Sequence, residues 1–99
     1  MKRYIFGLEN VICITENGNY KNAIPVQSRI DYINKLYNEG NFIIIWTDRE
    51  ERSGVCQTTL TYNQLEKWGV KYNSISLTKP MYDILIDNDA KNINDLVQK

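Results

Sequence analysis

Four consecutive residues near the middle of the chain, Ile43-Ile44-Ile45-Trp46, form an unbroken apolar run. Neighbouring side chains of a strand point to opposite faces, so a strand of this composition has to be covered on both. Burial on two faces belongs to parallel sheets clothed by helices, and the β-branched isoleucines favour extended backbone. With 99 residues the chain has room for one such arrangement. A single domain over residues 1–99 is therefore expected.

The flanking patterns fit that frame. Arg3-Tyr4-Ile5-Phe6-Gly7 reads as a first strand. Val11-Ile12-Cys13-Ile14 follows too closely for a crossover helix, and is expected to form an extended arm or flap after a bend at Glu9-Asn10. Asn17-Gly18 is the strongest turn signal in the chain. Pro25 precedes a helical pattern, in which Ile30, Ile33, Leu36 and Tyr37 recur at helical spacing before Gly40 ends it.

Beyond the central strand, Thr47 to Gly54 is polar, and Val55 to Trp68 reads as helix. A capping box at Thr61-Tyr62-Asn63-Gln64 predicts a break near Thr61. Tyr72 to Leu77 is a weaker strand candidate, Lys79-Pro80 a turn, Ile84-Leu85-Ile86 a short buried strand, and Asn92 to Val97 a final helix. Strands alternating with helical crossovers predict an α/β, Rossmann-like fold with a mainly parallel sheet flanked by helices.

Composition narrows the chemistry. Lys and Arg number 12, Asp and Glu number 12, and histidine is absent. A His-containing triad, a His-ligated zinc and an imidazole base are all excluded within this chain. A net charge of zero removes the usual electrostatic basis for binding nucleic acid. The two cysteines, Cys13 and Cys56, form no CxxC pair and fit reduced thiols in the cytoplasm. No apolar run approaches a membrane span or a signal-peptide core, so no membrane partner is expected.

Open parallel sheets bind ligands at the carboxyl ends of their strands. The groups just past the strands are Gly7 to Asn10, Thr47 to Arg49, Lys79 and Asp87 to Asp89. Their order, a hydroxyl, then Lys-Pro, then an acidic cluster, resembles the haloacid dehalogenase-like phosphatase superfamily. More narrowly, the chain is similar to the small cap-less phosphatases of capsular polysaccharide biosynthesis. The matching stretches are Thr15 to Gly18, Ile43 to Arg49, Leu65 to Val70, Lys79 to Asp83 and Ile86 to Ile93.

In that superfamily the first strand ends in Asp-x-Asp-Gly-Thr, with a nucleophilic Asp that also ligates magnesium and a second Asp as acid/base. The resemblance sets Gly7 at the nucleophile position and Glu9 at the acid/base position, with Asn10 and Val11 replacing Gly and Thr. Thr47 matches the phosphate-binding hydroxyl, with Arg49 beside it as a further phosphate ligand, and Lys79 matches the lysine that neutralises charge. Asp87 matches a magnesium ligand; Asn88 departs from the usual second Asp, and Asp89, displaced by one residue, compensates only in part.

Glycine offers no nucleophile for an aspartyl-phosphate pathway. Glu9 stands two residues further on, about 6–7 Å along a strand. The resemblance therefore implies a catalytically impaired homologue, a pseudophosphatase, with a binding, regulatory or assembly role and a vestigial phosphate pocket. No resident cofactor is expected, and magnesium only weakly at Asp87 and Asp89. The partners implied are a small phosphorylated ligand or a protein, and a homodimer is the expected assembly. The alternative is a divalent-metal-dependent hydrolase of a small (sugar) phosphate, with Glu9, Asp87 and Asp89 holding a cation that activates water.

Simpler roles stand beside these. Thr47 can cap the segment that follows it, Asp87 can cap a helix, and Lys79 can be a solvated loop residue. Asp48 with Arg49 reads as a surface ion pair, and Glu50-Glu51-Arg52 as a solvated face. Tyr4, Phe6, Trp46 and Trp68 read as packing residues, and both cysteines as small apolar fillers.

Overall fold

A computed structural model of the chain describes residues 1–77 and 84–86. β1 (Arg3–Gly7) and β4 (Phe42–Trp46) lie side by side, in parallel register from Arg3 opposite Phe42 to Gly7 opposite Trp46. β5 (Ser74–Ser76) adds to the free side of β4 and β6 (Ile84–Ile86) to that of β1, both parallel. The order is β5-β4-β1-β6. The fold is thus the expected Rossmann-like α/β arrangement with a parallel sheet.

The central isoleucines behave as their composition requires. Ile43 and Ile45 are fully buried on one face and Ile44 is 7% exposed on the other. α1 (Gln27–Asn38) turns Ile30, Ile33 and Leu36 into a core shared with Phe6, Ile43, Ile45 and Leu65. Full burial of one such aliphatic side chain is worth about 1.5–3 kcal/mol. Tyr4 and Phe6, two apart on β1, stack with ring centroids 6.1 Å apart. Among the described residues, no helix is long and apolar enough to cross a membrane.

Two local expectations are corrected. The segment after β1 is not an extended arm from Val11 onward. The carbonyl of Leu8 accepts the N–H groups of Ile12 and Cys13 at 3.1 and 3.2 Å, which winds residues 8–12 into one tight turn. Asn10 takes the left-handed conformation there, at φ 64°. Winding buries Leu8, Val11 and Ile12 together, which an extended strand, alternating its faces, would not do. Only β2 (Cys13–Ile14) is extended, paired antiparallel with β3 (Ile24–Pro25). The Asn17-Gly18 signal holds: both residues have positive φ, and Asn19 N–H closes the turn onto Glu16 O at 2.9 Å.

The second correction lies after β4. The polar stretch contains α2 (Arg49–Ser53), ended by left-handed Gly54 at φ 74°. α3 (Thr58–Lys67) starts three residues later than expected and runs unbroken through Thr61. Its start is anchored by Glu50, whose Oε1 accepts the Gln57 N–H at 3.1 Å and the Thr58 hydroxyl at 2.5 Å. These bonds, the Thr58 hydroxyl first, hold the Glu50 carboxyl below its usual range, so Glu50 is no idle member of a solvated face. The final helix expected at 92–97 and the Lys79-Pro80 turn lie outside the described residues.

Asparagine amides stand in for peptide groups at three joints. Asn34 accepts the Lys71 N–H and donates to Gly69 O, both at 2.8 Å. Asn41 accepts from Lys2 N and donates to Leu36 O, both at 3.1 Å. Asn73 Oδ1 accepts the Ile43 N–H at 2.8 Å just before β5 begins.

Candidate functional site

The carboxyl ends of β1 and β4 open into a cleft of about 480 Å³. One wall is the β1–α1 insert, residues 8–26, contributing Glu9, Asn10 and Thr15. The other is the β4–α2 segment, contributing Trp46, Thr47 and Arg52. Gly7 lies at the base, and Leu8 N–H donates to Trp46 O at 2.9 Å to join the walls there. Of the expected site residues, the fold brings Gly7, Glu9 and Thr47 to this cleft; Lys79, Asp87 and Asp89 lie outside the described residues.

Thr47 is 3% exposed, and its hydroxyl accepts the Arg49 N–H at 3.1 Å. It does cap the start of α2, while still lining the cleft. Arg49 differs from both of its expectations. It forms no surface pair with Asp48, which bonds Arg52 Nε at 2.6 Å across one helical turn. Arg49 sits about 100° around the helix from Asp48. Its side chain is completely buried and turned away from solvent toward α3. Arg49 Nε pairs with Glu9 Oε1, and Nη1 donates to Gln64 Oε1 at 2.6 Å and to Thr61 Oγ1 at 3.2 Å. Nη2 lies 3.8 Å from Cys13 Sγ, and the guanidinium carbon 5.0 Å from the centre of the Tyr20 ring.

Glu9 is held at both oxygens. Arg49 takes Oε1, while the Thr15 hydroxyl donates to Oε2 and the Cys13 thiol lies 3.7 Å from it. A carboxylate so engaged is a counter-ion first. Burial, and then the Glu9 charge, push the Cys13 thiol up to about 12, which makes it an inert filler as expected. Cys56 is exposed instead.

Magnesium asks for several hard oxygen ligands in near-octahedral order. At the cleft, Gly7 brings no side-chain oxygen, Glu9 is paired with Arg49, and Asp48 is paired with Arg52. Among the described residues, no group of three or more His, Cys, Asp or Glu could hold a metal ion. Among the described residues the donor set does not fit the ion, and Asp87 and Asp89 lie outside them.

Thr15, Thr61, Gln64 and Tyr20 complete the arrangement without having been singled out as site residues. Thr61 and Gln64 did carry a signal, as polar residues three apart on an amphipathic helix. They are buried partners of Arg49 in the middle of α3, not a capping box at its start.

No protein-family model matches the chain, and no curated protein matches it. Among solved structures, the chain is similar to a structural-genomics target from Vibrio cholerae. The identity is 23% and the TM-score 0.80, over 100% of this chain and 89% of that one. It is also similar to part of a chain in the structure of the Pnkp1/Rnl/Hen1 RNA repair complex. There the identity is 14% and the TM-score 0.62, over 99% of this chain and 30% of that one. At these identities the likeness is one of fold.

Proposed function

We propose that this chain is a haloacid dehalogenase-like pseudophosphatase, of the small cap-less kind linked to capsular polysaccharide biosynthesis, with a binding, regulatory or assembly role. One observation carries the reading. At the end of β1, where a nucleophile and a proton carrier belong, Gly7 has no side chain and both carboxylate oxygens of Glu9 are engaged. Phosphoryl transfer in that superfamily needs an in-line nucleophile, and displacement of a reacting group by about 1 Å can cost about a hundredfold. The cleft at the strand ends and the hydroxyl of Thr47 support a retained pocket for a small phosphorylated ligand. In this reading the protein works in the cytoplasm, on a small ligand or a protein partner.

The test is hydrolysis of an aryl phosphate with magnesium. No turnover above buffer is expected. Turnover that is abolished by Lys79→Ala and by Asp87→Ala would overturn the proposal. Calorimetry with magnesium and manganese separates it from metal-dependent hydrolysis, and no binding is expected at millimolar metal. Gly7→Asp combined with Glu9→Asp is expected to recover metal binding if the remaining motifs are intact.

A further inference from the structure

We propose that Arg49 is a clasp: it locks the β1–α1 insert onto α3 and thereby fixes the aperture of the strand-end cleft, with Glu9 as its counter-ion. The assignment of Glu9 to an acid/base position rests on the reading above, but the clasp does not.

The cleft has one wall from the insert and one from the β4–α2 segment, joined at the base by Leu8 N–H and Trp46 O. Arg49 begins α2, in the second wall, and reaches into the first at three separate places. It pairs with Glu9 just after β1, approaches Cys13 in β2, and lies under the ring of Tyr20. Its partner Gln64 extends the grip. The Gln64 amide accepts from Arg49 Nη1 at 2.6 Å and donates to the Tyr20 carbonyl at 2.7 Å. Both ends of the stretch from Glu9 to Tyr20 are thus tied, through one guanidinium, to α3.

The burial makes this grip strong. Arg49 is 0% exposed, so its donors have only protein partners. In a low dielectric each of those bonds is stronger than at the surface, and losing one leaves a polar group stranded. The planar fork of arginine holds five donors in fixed, spread directions, whereas a lysine ammonium offers three from a single point. Core packing of Leu8, Val11 and Ile12 and the Arg29 bonds to the Asn10 and Val11 carbonyls hold the near end of the insert to α1. An outward swing toward solvent also has to give up the ion pair, the ring contact and the Gln64 bridge together. A cleft held this way is preformed and does not close around its ligand.

Hydrogen exchange read by mass spectrometry on the full chain tests the clasp. Gln64→Leu removes the bridge and keeps the charge pair, Arg49→Lys keeps the charge and loses the fork, and Arg49→Met removes both. Exchange across residues 8–22 is expected to accelerate in that order, reaching about tenfold or more with Arg49→Met. Residues 27–38 of α1 are expected to keep wild-type protection. Unchanged exchange over 8–22 in the variants overturns the proposal. So does acceleration of 27–38 in step with 8–22, because Arg49 would then be a general stabiliser. If Arg49→Met does not fold, Gln64→Leu and Arg49→Lys decide by the same criteria. The readout is independent of any phosphatase assay, so the clasp and the pseudophosphatase reading fail separately.

Discussion

The ends of β1 and β4 lie side by side on the same cleft, yet they are built on opposite principles. After β1 the chain buries apolar side chains: Leu8 and Val11 are each 1% exposed and Ile12 is 0%. After β4 it buries polar ones, Thr47 at 3% and Arg49 at 0%. The apolar end needs only to be covered. The polar end needs named partners in fixed places, and it takes them from the insert and from α3. An apolar strand end thus carries its own reason to be buried, whereas a polar one is buried by agreement with distant parts of the chain.

The comparison is broken most severely at Glu9. Glu9→Gln leaves the Arg49 charge in the interior without a counter-charge, and a loss of about 3–5 kcal/mol in urea unfolding is expected. Arg49→Met should cost less, because the Glu9 side chain is 19% exposed and can turn to water. Equal losses would mean that the pair is not asymmetric in burial. At the apolar end, Leu8→Ala is expected to cost about 3 kcal/mol through the cavity it leaves.

The Cys13 thiol sharpens the same boundary through pH. An unfolded thiol titrates near its ordinary 9.0, and the buried one only at about 12. The folded state therefore holds this proton more tightly. That stabilisation is complete below pH 9 and declines as pH rises toward 12. Unfolding curves of the wild type and Cys13→Ala should accordingly converge in alkali. At pH 8 an alkylating reagent should modify Cys56 and spare Cys13 until the protein unfolds. The smallest effect belongs to Arg52, whose side chain is 72% exposed in its pair with Asp48. Arg52→Ala should change stability by about 0.3–0.5 kcal/mol.

What the sequence reveals follows the same division. Apolar periodicity announces β4, α1 and the parallel sheet, and the Asn17-Gly18 dipeptide announces its turn, because each rests on neighbours in the chain. The surroundings of Arg49 do not rest on neighbours. Glu9 is 40 residues away from it, and Gln64 reaches 44 residues back to Tyr20. Thr61 and Gln64 have the spacing of a capping box, so a local rule matched them while a distant arginine had claimed them. The anchoring of α3 by Glu50 was hidden for the same reason, as its carboxylate acts seven and eight residues further on. That Gly7 brings no side chain to the end of β1, by contrast, is legible from the residue alone.

The asparagine joints give this protein an uneven chemical clock. Deamidation turns an amide into a carboxylate, which keeps an acceptor and loses a donor. At Asn73 the amide oxygen accepts the Ile43 N–H, so an aspartate there would still hold the start of β5. At Asn34 the amide also donates to the Gly69 carbonyl, and an aspartate would set two oxygens against each other at 2.8 Å. Among the described asparagines, Asn17, exposed in its turn before Gly18, is the position most open to the reaction. Ageing should therefore mark the turn first and leave the sheet in register, and it should loosen the joint between α1 and the α3–β5 connection only when Asn34 is reached.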